Sequence, residues 1–140
     1  MLVQQEGRAN YVKILDFGLA IMKNATRLTR SGMFMGTVGY TPPEQVSGNG
    51  YNFSGDIYSL GVIFYELVTG EQPFFGETSL EIIKQILNEE PVEPVTFNPE
   101  IPAALNALIL RMLSKDPGRR PTAADLRSAM PRMMADLQSV

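Results

Sequence analysis

The 140-residue sequence contains no cysteine and no histidine. Without cysteine, the chain can form neither disulfide bonds nor thiolate metal sites, which is compatible with the reducing cytoplasm. Without histidine, it lacks the commonest general base and metal ligand of enzymes. Any catalysis by this chain must therefore use carboxylates, hydroxyls, lysine or arginine, and we expect a cytoplasmic protein.

The sequence also lacks an excess of basic residues and a long apolar run. Twelve Lys and Arg face fifteen Asp and Glu, giving a net charge of −3, so no basic field predicts a nucleic-acid partner. The longest apolar segment, 57–68, carries Glu66 and is too short to span a bilayer, so we expect no membrane segment. A hydrophobic content of 44% suffices for the core of one domain.

Charge is unevenly distributed along the chain. The segment 66–100 contains eight Glu and one basic residue, Lys84. The segment 111–132 contains five Arg and Lys115 against Asp116 and Asp125. This pattern predicts two solvent-exposed faces of opposite charge.

Residues 1–50 contain few periodic segments. Residues 2–3 and 11–15 have the composition of two short strands, which predicts a small hairpin. The segment 17–50 is rich in Gly, Thr, Ser and Pro and predicts a long loop, which a compact domain seldom carries without a functional reason.

The remainder predicts four helices. Ser54 is a candidate N-cap for a helix over 56–69, which is apolar on nearly all sides and should end at Gly70. Thr78 and Thr122 are the corresponding caps of the second and fourth helices, and Pro102 lies in the first turn of the third. Four prolines predict a loop over 91–102, and Pro131 is expected to kink or end the fourth helix early. The fourth helix should contribute four core residues, namely Leu126, Met130, Met133 and Met134.

Four motifs follow one another along this pattern: Asp16-Phe17-Gly18, then GTVGYTPPE over 36–44, DIYSLG over 56–61 and DPGRRPT over 116–122. In this order and spacing they resemble the C-terminal lobe of a bacterial Ser/Thr protein kinase of the eukaryotic type. The resemblance implies a mainly α fold with a short N-terminal β-hairpin and a long activation loop. It covers nearly all of residues 1–140, which we interpret as one partial kinase domain.

The resemblance implies a cofactor role for the first motif. Asp16 would be the metal ligand, holding the Mg²⁺ that bridges the phosphates of ATP. Phe17 would pack inward and set the direction of Asp16, and Gly18 would permit the backbone to change between two states.

The segment between Asp16 and Glu44 would be the activation segment. Thr26, Thr29 and Ser31 lie beside arginines and are candidate phosphorylation sites, since phosphates there could pair with arginine and order the loop. The alternative is that they are ordinary solvated hydroxyls.

Three further residues, Thr37, Gly39 and Tyr40, resemble the loop that receives the substrate residue after the phosphoacceptor, and Thr37 fits Ser/Thr specificity. The family usually has Ala before Pro-Glu, where this chain has Pro42.

Three residues have implied structural roles. Glu44 would form an ion pair with Arg120. Asp56 would accept backbone hydrogen bonds from the kinase catalytic loop, or simply favour the start of a helix through its charge.

A complete kinase also needs a Gly-rich loop, a strand lysine that contacts ATP, and a catalytic loop with a base Asp. No Asp precedes Asp16 in this sequence, so the chain supplies no catalytic residue of its own. The 140 residues alone are therefore expected to be inactive and to bind ATP and Mg²⁺ weakly or not at all.

Three interpretations of function follow. The chain is part of a Ser/Thr kinase whose missing half lies elsewhere, or a non-catalytic, pseudokinase-like binding module or truncated gene product, or an unrelated helical domain that matches by chance. The expected partners are a protein substrate or the missing kinase half. Because a helix that is apolar all round needs cover, self-association through an exposed core is also expected.

Overall fold

The computed structural model describes residues 38–50 and 52–138; for Met134 and 136–138 it describes the backbone alone. The described part is helical and contains no strand. The elements are, in order, α1 Pro43–Val46, α2 Phe53–Thr69, α3 Ser79–Asn88, α4 Pro94–Phe97, α5 Ala103–Met112, a 3₁₀ turn Pro117–Arg119 and α6 Ala123–Gln138. The mainly α class is confirmed, whereas the expected hairpin over residues 2–15 lies outside the described residues.

The N-cap of α2 differs from the sequence prediction. Asn52, not Ser54, is the cap: its Oδ1 accepts hydrogen bonds from the Gly55 N–H at 3.0 Å and from the Ser54 hydroxyl at 2.9 Å. Asn52 has the extended backbone that a cap requires, so α2 begins at Phe53, three residues before the predicted start. The predicted end is confirmed, because Gly70 has a left-handed φ of 77° and donates its N–H to Glu66.

Helix α2 is the centre of the core. Tyr58, Val62 and Tyr65 are at most 1% exposed, and they pack in one cluster with Ile109 and Leu113 at the end of α5. The contact between α2 and α5 is so close that a Cβ added to Gly61 would lie 2.7 Å from the Met112 Cβ. Glycine at 61 therefore sets the distance between the two central helices.

Helix α3 begins as predicted at the Thr78 cap. The Thr78 hydroxyl oxygen accepts the Glu81 N–H at 3.2 Å, and the Glu81 carboxylate accepts the Glu77 N–H at 3.0 Å. Two backbone N–H groups at the start of the helix, those of Glu77 and Glu81, are thus satisfied by side chains. Ile82 and Ile86 are buried against the core.

The segment 91–102 is not entirely a loop. It contains the short helix α4, which starts at Pro94 because proline is well suited to the first helical position. Pro102 is the N-cap of α5 and stands one residue before the helix.

Helix α6 starts at a reciprocal cap. The Asp125 N–H is donated to the Thr122 hydroxyl oxygen at 3.2 Å, and the Asp125 carboxylate accepts the Thr122 N–H at 2.8 Å. Pro131 was expected to kink the helix or to end it early; the early end is wrong, since α6 continues to Gln138. Pro131 and Arg127 are both exposed, so water can bind the Arg127 carbonyl that proline leaves without an N–H donor.

The predicted core face of α6 is only partly buried. Leu126 is 7% exposed, whereas Met130 and Met133 are half-buried, and the Met134 side chain lies outside the described residues. In the part of the chain that the structure describes, no helix is both long and apolar enough to cross a membrane.

Candidate substrate loop and its anchors

The segment 38–42 forms a tight loop between residue 37 and α1. Val38 and Gly39 are buried, and the Thr41 N–H is donated to the Val38 carbonyl at 3.0 Å. The Ser59 hydroxyl of α2 donates to the Tyr40 carbonyl at 2.7 Å. The backbone of this loop is therefore attached directly to the central helix.

The Tyr40 side chain adds a second attachment. Its hydroxyl donates to the Glu66 carboxylate, and the Gln72 amide donates to the other Glu66 oxygen at 3.2 Å. Burial, followed by the hydrogen bond to Glu66 and its negative charge, raises the pKa of Tyr40, so the phenol stays a donor at neutral pH. Tyr40, Glu66 and Gln72 together form what we call the loop anchor.

Neither Glu66 nor Gln72 belongs to the motifs from which functional residues were predicted. Along the chain, Glu66 lies 26 positions from Tyr40, and Gln72 lies 32 positions from it. The sequence did contain one indication that Glu66 has a specific role, because it is the charged residue inside the apolar segment 57–68. A charged side chain in a segment predicted to be buried needs a hydrogen-bonding or ionic partner.

Glu44 and Arg120 are brought together from opposite ends of the described chain. The two guanidinium nitrogens Nη1 and Nη2 donate to Oε1 and Oε2 of Glu44 at 2.7 and 2.8 Å, and the Arg120 side chain is 0% exposed. The Arg120 Nε–H is donated to the Ser114 carbonyl at 2.8 Å, and Nη1 also contacts the Ser54 carbonyl at 3.0 Å. Every face of this buried cation therefore meets an acceptor.

The environment keeps the Glu44 carboxylate charged. Burial alone would raise the pKa of Glu44, but the hydrogen bond from Arg120, aided by a backbone hydrogen bond and the charge of Arg120, lowers it below its ordinary value. The guanidinium carbon of Arg120 lies 5.1 Å from the centre of the Tyr58 ring. The pair thus joins α1, α2 and the turn before α6.

One neighbour of this pair, Gly55, has little room for a side chain. A Cβ on Gly55 would approach Pro42 to 3.1 Å and the Glu44 carboxylate to 3.4 Å. Asp56 lies exposed in the first turn of α2, where its charge is favoured by the helix dipole.

Lys115 is a further charged group that the sequence analysis did not single out. Its Nζ lies 4.0 Å from the centre of the Phe74 ring and donates to the Gln85 carbonyl at 3.4 Å. Burial lowers the pKa of Lys115 to about 8, although Glu90 and Glu89 oppose the shift. The side chain joins the end of α3 to the segment that supplies Arg120.

The predicted cofactor and phosphorylation residues lie outside the described residues. They are Asp16, Phe17, Gly18, Thr26, Thr29 and Ser31, and Thr37 of the predicted substrate loop also lies outside the described residues. Within residues 38–50 and 52–138, no group of three acidic side chains is placed to hold a metal ion.

Comparison with known proteins decides the family. The profile of the protein kinase domain matches residues 1–130, which is most of the chain. The chain belongs to the protein kinase family. The recognition made from the four motifs is thereby confirmed, and this kinase domain is similar to bacterial Ser/Thr enzymes. It is 36% identical over 126 residues to the Ser/Thr-protein kinase PknB of Mycobacterium leprae, matching 89% of this chain and 20% of that protein.

Two other similarities extend this result. The chain is 37% identical over 146 residues to the Ser/Thr-protein kinase pkn3 of Myxococcus xanthus, covering 100% of this chain and 26% of the relative. The twitchin kinase region from C. elegans superposes with a TM-score of 0.61 and 26% identity over 66% of this chain and 17% of its own. The kinase domain described here spans only 20–26% of the length of these bacterial relatives.

Proposed function

We propose that residues 1–140 are the C-terminal lobe part of a Ser/Thr protein kinase, which transfers the γ-phosphoryl group of ATP to protein hydroxyls when the rest of the domain is present. The observation that carries this proposal is the loop anchor. Tyr40, Glu66 and Gln72 hold a loop that resembles the family's substrate loop, and the Glu44–Arg120 pair holds α1, which directly follows it. Such rigid support is what precise positioning of a phosphoacceptor requires.

The substrate would meet the loop formed by Thr37, Gly39 and Tyr40. Gly39 has little free space, because an added Cβ would lie 3.2 Å from the Gln72 amide oxygen. The Tyr40 side chain is turned towards Glu66, and the hydrogen bond between them helps to hold the loop in one conformation. Fixing this backbone lowers the entropic cost of aligning the substrate hydroxyl.

Asp16 is the proposed metal ligand, with Phe17 and Gly18 controlling its direction. When bound, Mg²⁺ and ATP supply the phosphoryl group and offset the charge that develops on it. The charge carried by this chain for that purpose is the single carboxylate of Asp16. Phosphorylation at Thr26, Thr29 or Ser31 would then order the segment that leads to Thr37.

We further propose that the 140 residues alone are inactive. Phosphoryl transfer depends on several groups acting together, and the base Asp and the ATP-contacting lysine are not in this sequence. The missing kinase half, from the same polypeptide or another, would be the principal partner. The phosphoryl donor ATP makes the cytoplasm the proposed site of action.

A non-catalytic binding role is the second candidate, and one observation favours it. Ile63 and Leu67, one turn apart on α2, are 43% and 69% exposed. This apolar patch on the central helix needs a partner, which in the kinase proposal is the missing half and otherwise another protein or a second copy.

A complementation experiment separates the two candidates. The chain is mixed with a second polypeptide carrying a kinase N-lobe and catalytic loop from one of the bacterial relatives, and incorporation of labelled γ-phosphate into a Ser/Thr peptide is measured. The kinase proposal expects incorporation only in the mixture, and none with Asp16→Asn. Association of the two polypeptides without any phosphate transfer would instead support the binding module.

A further inference from the structure

The loop between α1 and α2 contains the sequence Ser47-Gly48-Asn49-Gly50, and all four residues are exposed. Gly48 and Gly50 have left-handed φ values of 77° and 91°. A Cβ added to either glycine would meet no atom of the described residues within 4 Å. An asparagine between two such glycines has few neighbouring atoms to hold it, so its side chain can approach the backbone.

Asn49 is followed by a residue without a side chain, and this favours an intramolecular reaction. The Cγ of an asparagine lies within reach of the backbone nitrogen of the next residue, and attack by that nitrogen closes a five-membered ring. Glycine at 50 has no Cβ that would hinder the approach. Within residues 38–50 and 52–138, the Gly50 N–H donates to no backbone acceptor, so no such hydrogen bond holds this nitrogen away from Asn49.

Asn88 is also exposed, but its surroundings differ from those of Asn49. It is the last residue of α3, and its side-chain amide donates to the Lys84 carbonyl at 2.9 Å. The Glu89 N–H that follows it donates to the Gln85 carbonyl at 2.9 Å. Because both reacting groups are held by hydrogen bonds, and glutamate carries a Cβ, we expect Asn88 to be stable where Asn49 reacts.

We propose that Asn49 is a site of spontaneous deamidation in the folded chain. The Gly50 nitrogen forms a bond to the Asn49 Cγ, its proton passes to the side-chain nitrogen, and that nitrogen leaves as ammonia, which gives a cyclic succinimide. Water then opens the ring at either carbonyl, so the product is aspartate or isoaspartate. One water is taken up and one ammonia is released, with no oxidation or reduction. The step does not depend on phosphoryl transfer.

The modification lies at the joint between α1 and α2. The Asn49 N–H donates to the Glu44 carbonyl at 2.8 Å, and three residues later Asn52 caps α2. A side-chain hydrogen bond also joins Asn52 to Glu44, whose carboxylate binds Arg120. Isoaspartate lengthens the backbone of this joint by one atom, and either product adds a negative charge after the C-terminal end of α1, which the helix dipole disfavours. Deamidation should therefore loosen the joint.

The test incubates the 140-residue chain at neutral pH and follows its proteolytic peptides by mass spectrometry, while circular dichroism checks that the chain stays folded. We expect the peptide with Asn49 to gain about one dalton and the peptide with Asn88 to stay unchanged. Asn49→Gln should abolish the gain. Gly50→Ala should slow it about tenfold, whereas Gly48→Ala, at the other left-handed glycine, should leave the rate within about twofold. Equal effects of the two alanine substitutions would overturn the proposed attack by the Gly50 nitrogen.

A synthetic peptide with the sequence of residues 46–53 gives the rate of the unstructured segment. We expect the folded chain to react within about tenfold of this peptide, because reaction through unfolded molecules alone would be slower by the folding equilibrium constant, on the order of 10³ or more. A larger slowing, or no mass gain at Asn49, would mean that the fold protects the residue and would overturn the proposal. The isoaspartate form, separated by ion exchange, should unfold at a lower urea concentration than the parent. An equal midpoint would overturn the loosening of the joint and leave the modification standing.

Discussion

Arg120 and Glu44, 76 positions apart in the sequence, form a bidentate ion pair with nitrogen–oxygen distances of 2.7 and 2.8 Å. The side chain of Arg120 is 0% exposed. Removing one partner leaves a buried charge uncompensated, which costs far more than losing an exposed pair. The pair is therefore a structural element that joins α1, α2 and the turn before α6.

The first prediction concerns this pair. Glu44→Ala should lower the free energy of unfolding by about 3–5 kcal/mol, because the Arg120 guanidinium would stay buried with two donors unpaired. Urea denaturation of the parent and the variant measures the change. Arg119→Ala, at the exposed arginine next in sequence, is the control and should stay within about 0.5 kcal/mol of the parent. Equal effects of the two substitutions would contradict a special role of Arg120.

The second prediction concerns the close packing of α2 on α5. Gly61→Ala should destabilise the chain by about 1–3 kcal/mol, because the new Cβ would lie 2.7 Å from the Met112 Cβ and neither backbone can move away freely. This loss has to exceed the gain of about 1 kcal/mol that alanine brings to a helix. Leu67→Ala, at an exposed site of the same helix, is the control. A stabilised Gly61→Ala variant would show that the two helices can separate without cost.

The third prediction concerns the loop anchor. Tyr40→Phe and Glu66→Ala should be coupled in a double-mutant cycle by about 0.5–3 kcal/mol, since each removes the same hydrogen bond. The control cycle pairs Tyr40→Phe with Glu100→Ala, an exposed glutamate of the loop before α5, and should be additive. Additivity in both cycles would mean that Glu66 does not hold the substrate loop. In a polypeptide with the catalytic loop, Tyr40→Phe should raise the KM for peptide more than the KM for ATP.

The sequence predicts an interaction well when its residues lie close together along the chain. The caps at Thr78 and Thr122 and the end at Gly70 were predicted, because each involves residues within a few positions of one another. The Ser54 cap was wrong because Asn52, two residues earlier, offered a competing acceptor with an extended backbone. The sequence pattern alone could not decide whether Asn52 or Ser54 is the N-cap, since both residue types are favoured there.

Contacts between residues far apart in the sequence could not be predicted from local pattern. The Glu44–Arg120 pair was expected only through the family resemblance, since no periodicity links residues 76 positions apart. The bonds from Tyr40 to Glu66 and from Lys115 to Gln85 depend on how the helices pack, which the sequence pattern does not determine. Whether a helix continues through a proline, as α6 does at Pro131, likewise depends on whether the freed carbonyl finds another partner, which the sequence pattern does not determine.

The fourth prediction is a pH dependence that originates from Lys115. Its pKa is about 8 in the folded chain against an ordinary value of 10.5, so between these values the unfolded state binds more protons than the folded state. The contribution of this group to stability therefore rises with pH from about 8 towards 10. Lys115→Met should flatten the rise in urea midpoint measured between pH 7.5 and 9.5, whereas Lys84→Met, at an exposed lysine, should not. An unchanged pH profile in Lys115→Met would exclude the lysine as its source.

The fifth prediction concerns activity. The purified 140-residue chain should transfer no phosphate from ATP to a Ser/Thr peptide, because one metal-binding carboxylate without a base or an ATP-contacting lysine cannot align the reactants. Phosphate incorporation that Asp16→Asn abolishes would show this inference to be wrong. The intact mass of the polypeptide in its source cell, with peptide mapping upstream of Met1, then decides what Asp16 does. A larger species that carries a catalytic loop makes Asp16 a working ligand, whereas a species near 15.5 kDa directs the search to the partner that covers Ile63 and Leu67.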